Sequence, residues 1–190
     1  MNPDITESFS LQNERALITG GGRGLGFAIA ECMLAAGATV LIVGRREETL
    51  KSAVAKLGPK AHYIVHDVTQ LGEAPALVTN AEHLLGGPLS ILANNAGIHL
   101  KKPVTETTPE AFQEVLTTHL CAAHALNQAI IPSMRRHGHG SILLTASMAA
   151  IIGLPLVVAY SSAKSAFLGM ARSMTAELAG EGIRTNAIAP

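Results

Sequence analysis

Ala16-Leu17-Ile18-Thr19-Gly20-Gly21-Gly22-Arg23-Gly24-Leu25-Gly26 is the stretch that decides how this chain is read. A short apolar run, residues 16–19, ends in a glycine cluster. Behind it Leu25, Ile29, Cys32, Met33 and Ala36 recur at helical spacing. The order is strand, glycine turn, helix. Gly37 closes the helix, and residues 39–43 form a β-branched apolar run of the kind buried on both faces of a parallel sheet. Residues 16–43 therefore make a β-α-β unit. A pyrophosphate can come close to a helix N-terminus only where side chains are absent, because its oxygens take hydrogen bonds from backbone N–H groups aligned with the helix dipole. Gly20, Gly24 and Gly26 meet that need, and Gly22, Arg23 and Leu25 complete the candidate phosphate turn. The spacing Thr-Gly-x-x-x-Gly-x-Gly departs from the strict Gly-x-Gly-x-x-Gly fingerprint, and no Gly-Lys-Ser/Thr follows as in a P-loop. A tight turn of purely structural purpose is the alternative.

The pattern continues outward from this unit. Leu50, Val54 and Leu57 mark a helix, residues 63–65 a strand, and Leu77, Val78, Ala81, Leu84 and Leu85 the next helix. Residues 89–93 read as a fourth strand. Thr108-Pro109-Glu110 opens one long helix carrying Phe112, Val115, Leu116, Ala123, Leu126 and Ile130, ended by Gly138 and Gly140. Residues 141–145 form a fifth strand, a helix is expected over about 157–179, and residues 183–188 form a sixth strand. Strands alternating with helices throughout predict an α/β fold: a doubly wound parallel sheet in three layers, strand order 3-2-1-4-5-6, in a single domain over 1–190. Ligands of such sheets sit beyond the carboxyl ends of the strands, at the switch point between strands 1 and 4. The glycine turn, residues 94–97 and Ser147 all fall at such ends.

Composition narrows the function. The chain has 190 residues, 48% hydrophobic and 15% charged, enough for one sizeable core. Formal net charge is zero and no run of like charge occurs, which speaks against nucleic-acid and membrane-surface partners and leaves a small molecule. Cys32 and Cys121 show no metal or redox spacing and read as space-filling reduced thiols of a cytoplasmic protein. The leader, residues 1–13, is polar and lacks the apolar core of a signal peptide. Residues 142–159 are mostly apolar, but Thr145, Ser147, Gly153 and Pro155 interrupt them, so a buried strand and an apolar loop explain them better than a membrane span. His137-Gly-His139 has no carboxylate or cysteine beside it in the sequence and reads as an exposed turn, so no metal site is expected.

Two features carry chemistry. On a helix, Tyr160 and Lys164 lie one turn apart on one face. An ammonium there draws a tyrosine pKa down from about 10 towards working pH, where the phenol can exchange a proton with a substrate oxygen, and Ser147 can supply a second hydrogen bond. A bare Tyr-x-x-x-Lys, taken alone, reads first as a solvated helix face, since charged residues are mostly exposed. At the end of the second strand, a carboxylate would accept hydrogen bonds from ribose hydroxyls, whereas an arginine can pair with a 2′-phosphate. The chain has Gly44-Arg45-Arg46 there, with Arg23 as a second possible charge, which predicts NADP(H) over NAD(H). The alternative is that these arginines are solvated surface residues.

Together these residues resemble the short-chain dehydrogenase/reductase family over nearly the whole chain. Thr19-Gly-x-x-x-Gly-x-Gly26, Asp67 after the third strand, Asn94-Asn95-Ala96-Gly97 after the fourth, Ser147, and Tyr160-x-x-x-Lys164 occur in the family's order, and residues 186–190 resemble the start of its Asn-Ala-Ile-x-Pro-Gly segment. The resemblance implies an oxidoreductase that passes a hydride between NADP(H), or NAD(H), and a ketone or secondary alcohol. Tyr160 would be the general acid/base, Lys164 would bind the nicotinamide ribose and assist Tyr160, and Ser147 would orient the carbonyl. Asp67 and Val68 would hold the adenine, Asn94, Ala96 and Gly97 would lie near the adenosine ribose, and Pro190 near the cofactor. Homo-oligomers are implied as well.

The chain departs from the family twice. His119 stands where the family usually has an Asn that helps hold a water linked to the Lys; it is either a core histidine or a working substitute that adds pH dependence near neutrality. The family's segment beyond the Pro-Gly, with its substrate loop and seventh strand, does not follow Pro190, which reads as C-terminal truncation. A cofactor-binding protein with little or no catalysis is the competing expectation.

Overall fold

The computed structural model describes residues 9–190; residues 1–8, most of the polar leader, lie outside the described residues. The apolar runs become six strands, β1 (Arg15–Thr19), β2 (Thr39–Gly44), β3 (Ala61–Val65), β4 (Ile91–Asn94), β5 (Gly140–Thr145) and β6 (Ile183–Ile188). They pair in the order β3-β2-β1-β4-β5-β6, every pair parallel, as the alternation of strands and helices required. The helices are α1 (Gly24–Ala35), α2 (Glu47–Leu57), α3 (Ala74–Leu85), α4 (Pro109–Leu116), α5 (Ala122–His137) and α6 (Val158–Leu178).

The register shows why both faces of the sheet are covered. Leu17 pairs with Leu41 and Leu92, and their side chains join Leu77, Ile130 and Phe167 in a core under α3, α5 and α6. One residue along, Ile18 pairs with Ile42 and Ala93, and these pack with Ala30 and Leu50 under α1 and α2. Successive side chains of a strand point to opposite faces, so an unbroken apolar run serves both layers.

Three local features differ from the sequence reading. The fourth strand starts at Ile91 and not at Leu89, because the Leu89 N–H is taken by the hydroxyl of Ser133 at 2.6 Å and not by a neighbouring strand. The helix after Thr108, whose hydroxyl caps it by accepting from the Ala111 N–H at 3.2 Å, runs unbroken to His137 but is not α-helical throughout. A π-helical turn, Thr117–Cys121, separates α4 from α5 and contains His119. Cys32 is exposed and fills no space in the core. Among the described residues, no helix is long and apolar enough to cross a membrane.

Candidate active site

The loops leaving β1 and β4 are laced together by short polar side chains. The buried Thr19 hydroxyl donates to the Ala93 carbonyl at 3.3 Å and accepts from the N–H groups of Asn95 and Ala96, both at 2.9 Å. Asn95 in return donates its amide to the carbonyls of Thr19 at 3.1 Å and Gly20 at 3.4 Å. The glycine turn is thus fixed before any ligand arrives.

The glycines in the turn divide by what surrounds them. A side chain on Gly26 would run into the Gly20 carbonyl and the Asn95 amide, so Gly26 serves the packing of α1 against β1. Gly24 has a φ of +56° and nothing within 4 Å of where a Cβ would point. Its left-handed backbone favours glycine whatever the surrounding space, and the space it leaves open belongs to a cleft of about 610 Å³. Gly20, Gly22, Arg23, Gly24, Arg45, Asp67, Val68, Ala96 and Gly97 line this cleft, and with them Arg46 and Asn95, which belong to the motifs quoted above, and Thr49, His66, Thr69, Ile98 and Thr118, which motif spacing did not single out. Leu25, Gly26, Asn94 and Pro190 do not line it. Asn94 is buried and donates to the Asn127 amide oxygen at 2.8 Å, on the side of the sheet covered by α5. The Pro190 carbonyl instead accepts from the Met148 N–H at 3.5 Å, beside Ser147.

At the far end of the cleft, one Asp67 oxygen accepts from the N–H of Thr69 at 3.0 Å and its hydroxyl at 2.8 Å. The Thr69 backbone bond is the main cause that holds the Asp67 carboxyl below its ordinary range, with smaller help from the Thr69 hydroxyl, Arg45 and His66. Its other oxygen faces Arg45 at 3.8 Å. The Arg45 side chain is 67% exposed, so this pair is loose and screened.

On the other side of the switch point, α6 starts at Val158, which puts Tyr160 in its first turn and Lys164 one turn on. Lys164 is buried. Its ammonium donates to the Thr145 carbonyl at 2.5 Å and sits 5.6 Å from the centre of the Tyr160 ring. Burial lowers its pKa to about 8. Ser147 caps the short turn Met148–Ala150, its oxygen accepting from the Ala149 N–H at 3.2 Å, which leaves the hydroxyl hydrogen free to donate.

His119 is buried beside this group. Its Nε2 lies 2.8 Å from the Ile98 carbonyl and 3.1 Å from the Ile98 N–H, and its Nδ1 is buried without a hydrogen-bond partner among the described residues. Assigning the proton to Nε2, for the shorter contact, leaves Nδ1 a bare acceptor. Desolvation, and then the Lys164 charge, lower the His119 pKa to about 4. Both effects favour the neutral ring near pH 7 and run against the reading in which its titration adds pH dependence near neutrality. The Tyr160 ring meets His119 edge-on, centroids 5.6 Å apart, and His99 likewise at 5.0 Å. His99, exposed and two residues past Gly97, escaped the sequence reading because its only signal was its place in the loop after the fourth strand. Next to these groups the loop after Ser147 exposes Ile151, Ile152, Leu154 and Leu156 around a second hollow.

Comparison with known proteins shows the family of the chain. The family profile described as short chain dehydrogenase matches residues 14–190. An oxidoreductase of Sarocladium schorii is 37% identical over 182 residues, which are 95% of this chain and 72% of the relative. A tropinone reductase homologue of Arabidopsis thaliana is 34% identical over 189 residues, 98% of this chain and 72% of that protein. A crystal structure of a Sinorhizobium meliloti protein described as a short-chain alcohol dehydrogenase superposes with a TM-score of 0.91 at 34% identity, covering 96% of this chain and 73% of the other.

Proposed function

The chain belongs to the short-chain dehydrogenase family, and from that premise we propose that it is an NADP(H)-dependent oxidoreductase acting on a ketone or the corresponding secondary alcohol. One observation carries the reading: a buried Lys164 ammonium held 5.6 Å from the centre of the Tyr160 ring, at the strand ends where the glycine-walled cleft also opens. An ammonium in that position stabilises negative charge forming on the phenol oxygen as its proton leaves.

Gly20, Gly22, Arg23 and Gly24 would hold the pyrophosphate of the cofactor, Asp67 and Val68 the adenine, and Ala96 and Gly97 the adenosine ribose. The open space over Gly24 fits a phosphate that must approach the backbone. When bound, the nicotinamide supplies or accepts the hydride. Tyr160 gives its phenolic proton to the carbonyl oxygen, Ser147 donates a second hydrogen bond to that oxygen, and Lys164 binds the ribose. His119, neutral and bonded to Ile98, positions the loop behind Tyr160. The preference for NADP(H) rests on Gly44-Arg45-Arg46, which offers a guanidinium and no carboxylate where β2 ends. The apolar loop over residues 148–156 suits a substrate of hydrophobic character, and we place the enzyme in the cytoplasm as a homo-oligomer.

The test is oxidation of NADPH by the purified protein across a panel of ketones, alongside Tyr160→Phe. Loss of a positioned acid/base lowers turnover by about 10² to 10⁴. Cofactor binding without turnover by any ketone would instead favour a binding protein, and an unchanged rate in the Tyr160→Phe variant would refute the role given to Tyr160.

A further inference from the structure

At the opposite end of the sheet, Glu14, His137 and His139 converge on one another. Glu14 directly precedes β1, His137 ends α5, and His139 precedes β5. Gly138, with a φ of +90°, turns the chain so that the two imidazoles lie edge to face, 4.5 Å between centres. Glu14 presents one oxygen to His139 Nε2 at 3.1 Å and the other to His137 Nε2 at 3.5 Å, and one ligand atom from each residue lies within 4.8 Å of the others. Two imidazoles and a carboxylate that bind one ion at about 2.0 to 2.2 Å have to stand only slightly closer than this.

Charge strengthens the case. The neighbouring arginines of the same helical turn are already committed, Arg135 to Glu181 and Arg136 to Glu82. Among the described residues, the ion-pair partners of Glu14 are the two histidines, and an imidazole carries charge only when protonated. The Glu14 side chain is only 20% exposed, so its carboxylate stands largely out of water without a permanent cation. The backbone is fixed on both sides: the Glu14 carbonyl accepts from the Thr39 N–H at 3.0 Å, and the Gly138 N–H donates to the Met134 carbonyl at 2.9 Å. The carboxylate missing from the local sequence of His137-Gly-His139 thus comes from the other end of the chain.

We propose that Glu14, His137 and His139 form a binding site for a divalent transition-metal ion, with imidazole and carboxylate ligands suited to Zn²⁺. The ion ties the start of β1 to the turn between α5 and β5 across the intervening β4. It lies a strand length, roughly 17 to 20 Å, from the cleft, so its role is a clamp and not part of the hydride chemistry.

Titration of the full chain with Zn²⁺ alone, followed by calorimetry, and with Co²⁺ alone, followed by its visible absorption, tests this. One equivalent should bind, Co²⁺ should show the intense bands of a low-coordinate N/O site, Zn²⁺ should displace it, and the melting temperature should rise with either ion. His139→Asn, at a half-exposed position that leaves the core intact, should weaken binding by roughly tenfold or more, as should Glu14→Gln. Cys32→Ser should change nothing. Absence of saturable binding, or binding that survives His139→Asn but not Cys32→Ser, would overturn the proposal.

Discussion

Gly97 and His119 are packed so closely that a methyl group on Gly97 would overlap the His119 ring at Cε1. The ring cannot swing aside, because it is buried in a π-helical turn and its Nε2 is held to Ile98. A π-turn inserts one residue into a helix, and here it pushes position 119 against the loop that ends in Gly97. Glycine at 97 and histidine at 119 are therefore one choice and not two.

The pair can be separated by a double-mutant cycle. Gly97→Ala should destabilise the protein by about 1 to 3 kcal/mol, the usual range for forcing an extra methyl group into packed space. In a His119→Asn background the same methyl finds room, so the Gly97→Ala penalty should shrink by roughly 1 kcal/mol or more. Urea unfolding of the four proteins measures the coupling. Additive effects would mean that the ring yields in solution.

His119 should also mark the acid limit of stability. Its pKa falls from an ordinary 6.5 in the unfolded chain to about 4 in the fold. Above pH 6.5 neither state holds the extra proton and His119 contributes nothing. As the pH drops from 6.5 to 4 the unfolded chain takes up a proton that the native protein refuses, and stability falls. The gap between the two values limits the loss to roughly 3 kcal/mol. Urea midpoints from pH 7 to pH 4 should decline more steeply for the wild type than for His119→Asn.

Much of the fold could be read directly because one kind of signal repeats. The runs at 16–19 and 39–43 are short, apolar and β-branched, and the sheet order follows once strands alternate with helices along the chain. What escaped the sequence depends on contacts between distant positions. Nothing local says that Ser133 will take the Leu89 N–H, or that helix geometry will slip at Thr117. The site divides the same way. Gly24, Arg45 and Lys164 announce themselves by residue type and spacing. Asn94 carries the expected identity but turns its amide towards Asn127, while Asn95, its neighbour in the same motif and given no role by the sequence reading, stitches the glycine turn. His99 and Glu14 carry no motif at all; only the fold brings one to Tyr160 and the other to His137 and His139.

Lys164 should destabilise the ligand-free protein at neutral pH. Its pKa is lowered by burial from an ordinary 10.5 to about 8, so between those values the unfolded chain binds a proton that the native state does not. Stability should therefore rise as the pH goes from 8 towards 10.5, by at most roughly 3 kcal/mol. Lys164→Met, of similar length and without charge, should lose that rise while losing the activity proposed above. Chemical denaturation at pH 7, 8.5 and 10 distinguishes the two proteins. A flat difference across this range would mean that water reaches the ammonium in the folded state.

Arg45 offers the cleanest separation of cofactor recognition from folding. Its contact with Asp67 spans 3.8 Å on an exposed side chain, and such pairs contribute about 0 to 1 kcal/mol, so Arg45→Ala should leave the unfolding midpoint nearly unchanged. Asp67 keeps its shape without Arg45, because Thr69 supplies its two hydrogen bonds. The effect should appear instead in the ratio of NADPH to NADH affinity. A charge-assisted bond to a phosphate contributes roughly 1.5 to 3 kcal/mol, so its loss should weaken NADPH about 10- to 100-fold with little change for NADH. Arg45→Asp should go further, since a carboxylate at that position repels the 2′-phosphate and can accept from a free 2′-hydroxyl. Dissociation constants for both nucleotides, measured by fluorescence titration of the wild type and the two variants, give the ratio directly. If Arg45→Asp leaves that ratio unchanged, the 2′-position is read elsewhere, with Arg23 and Arg46 as the remaining guanidinium groups lining the cleft.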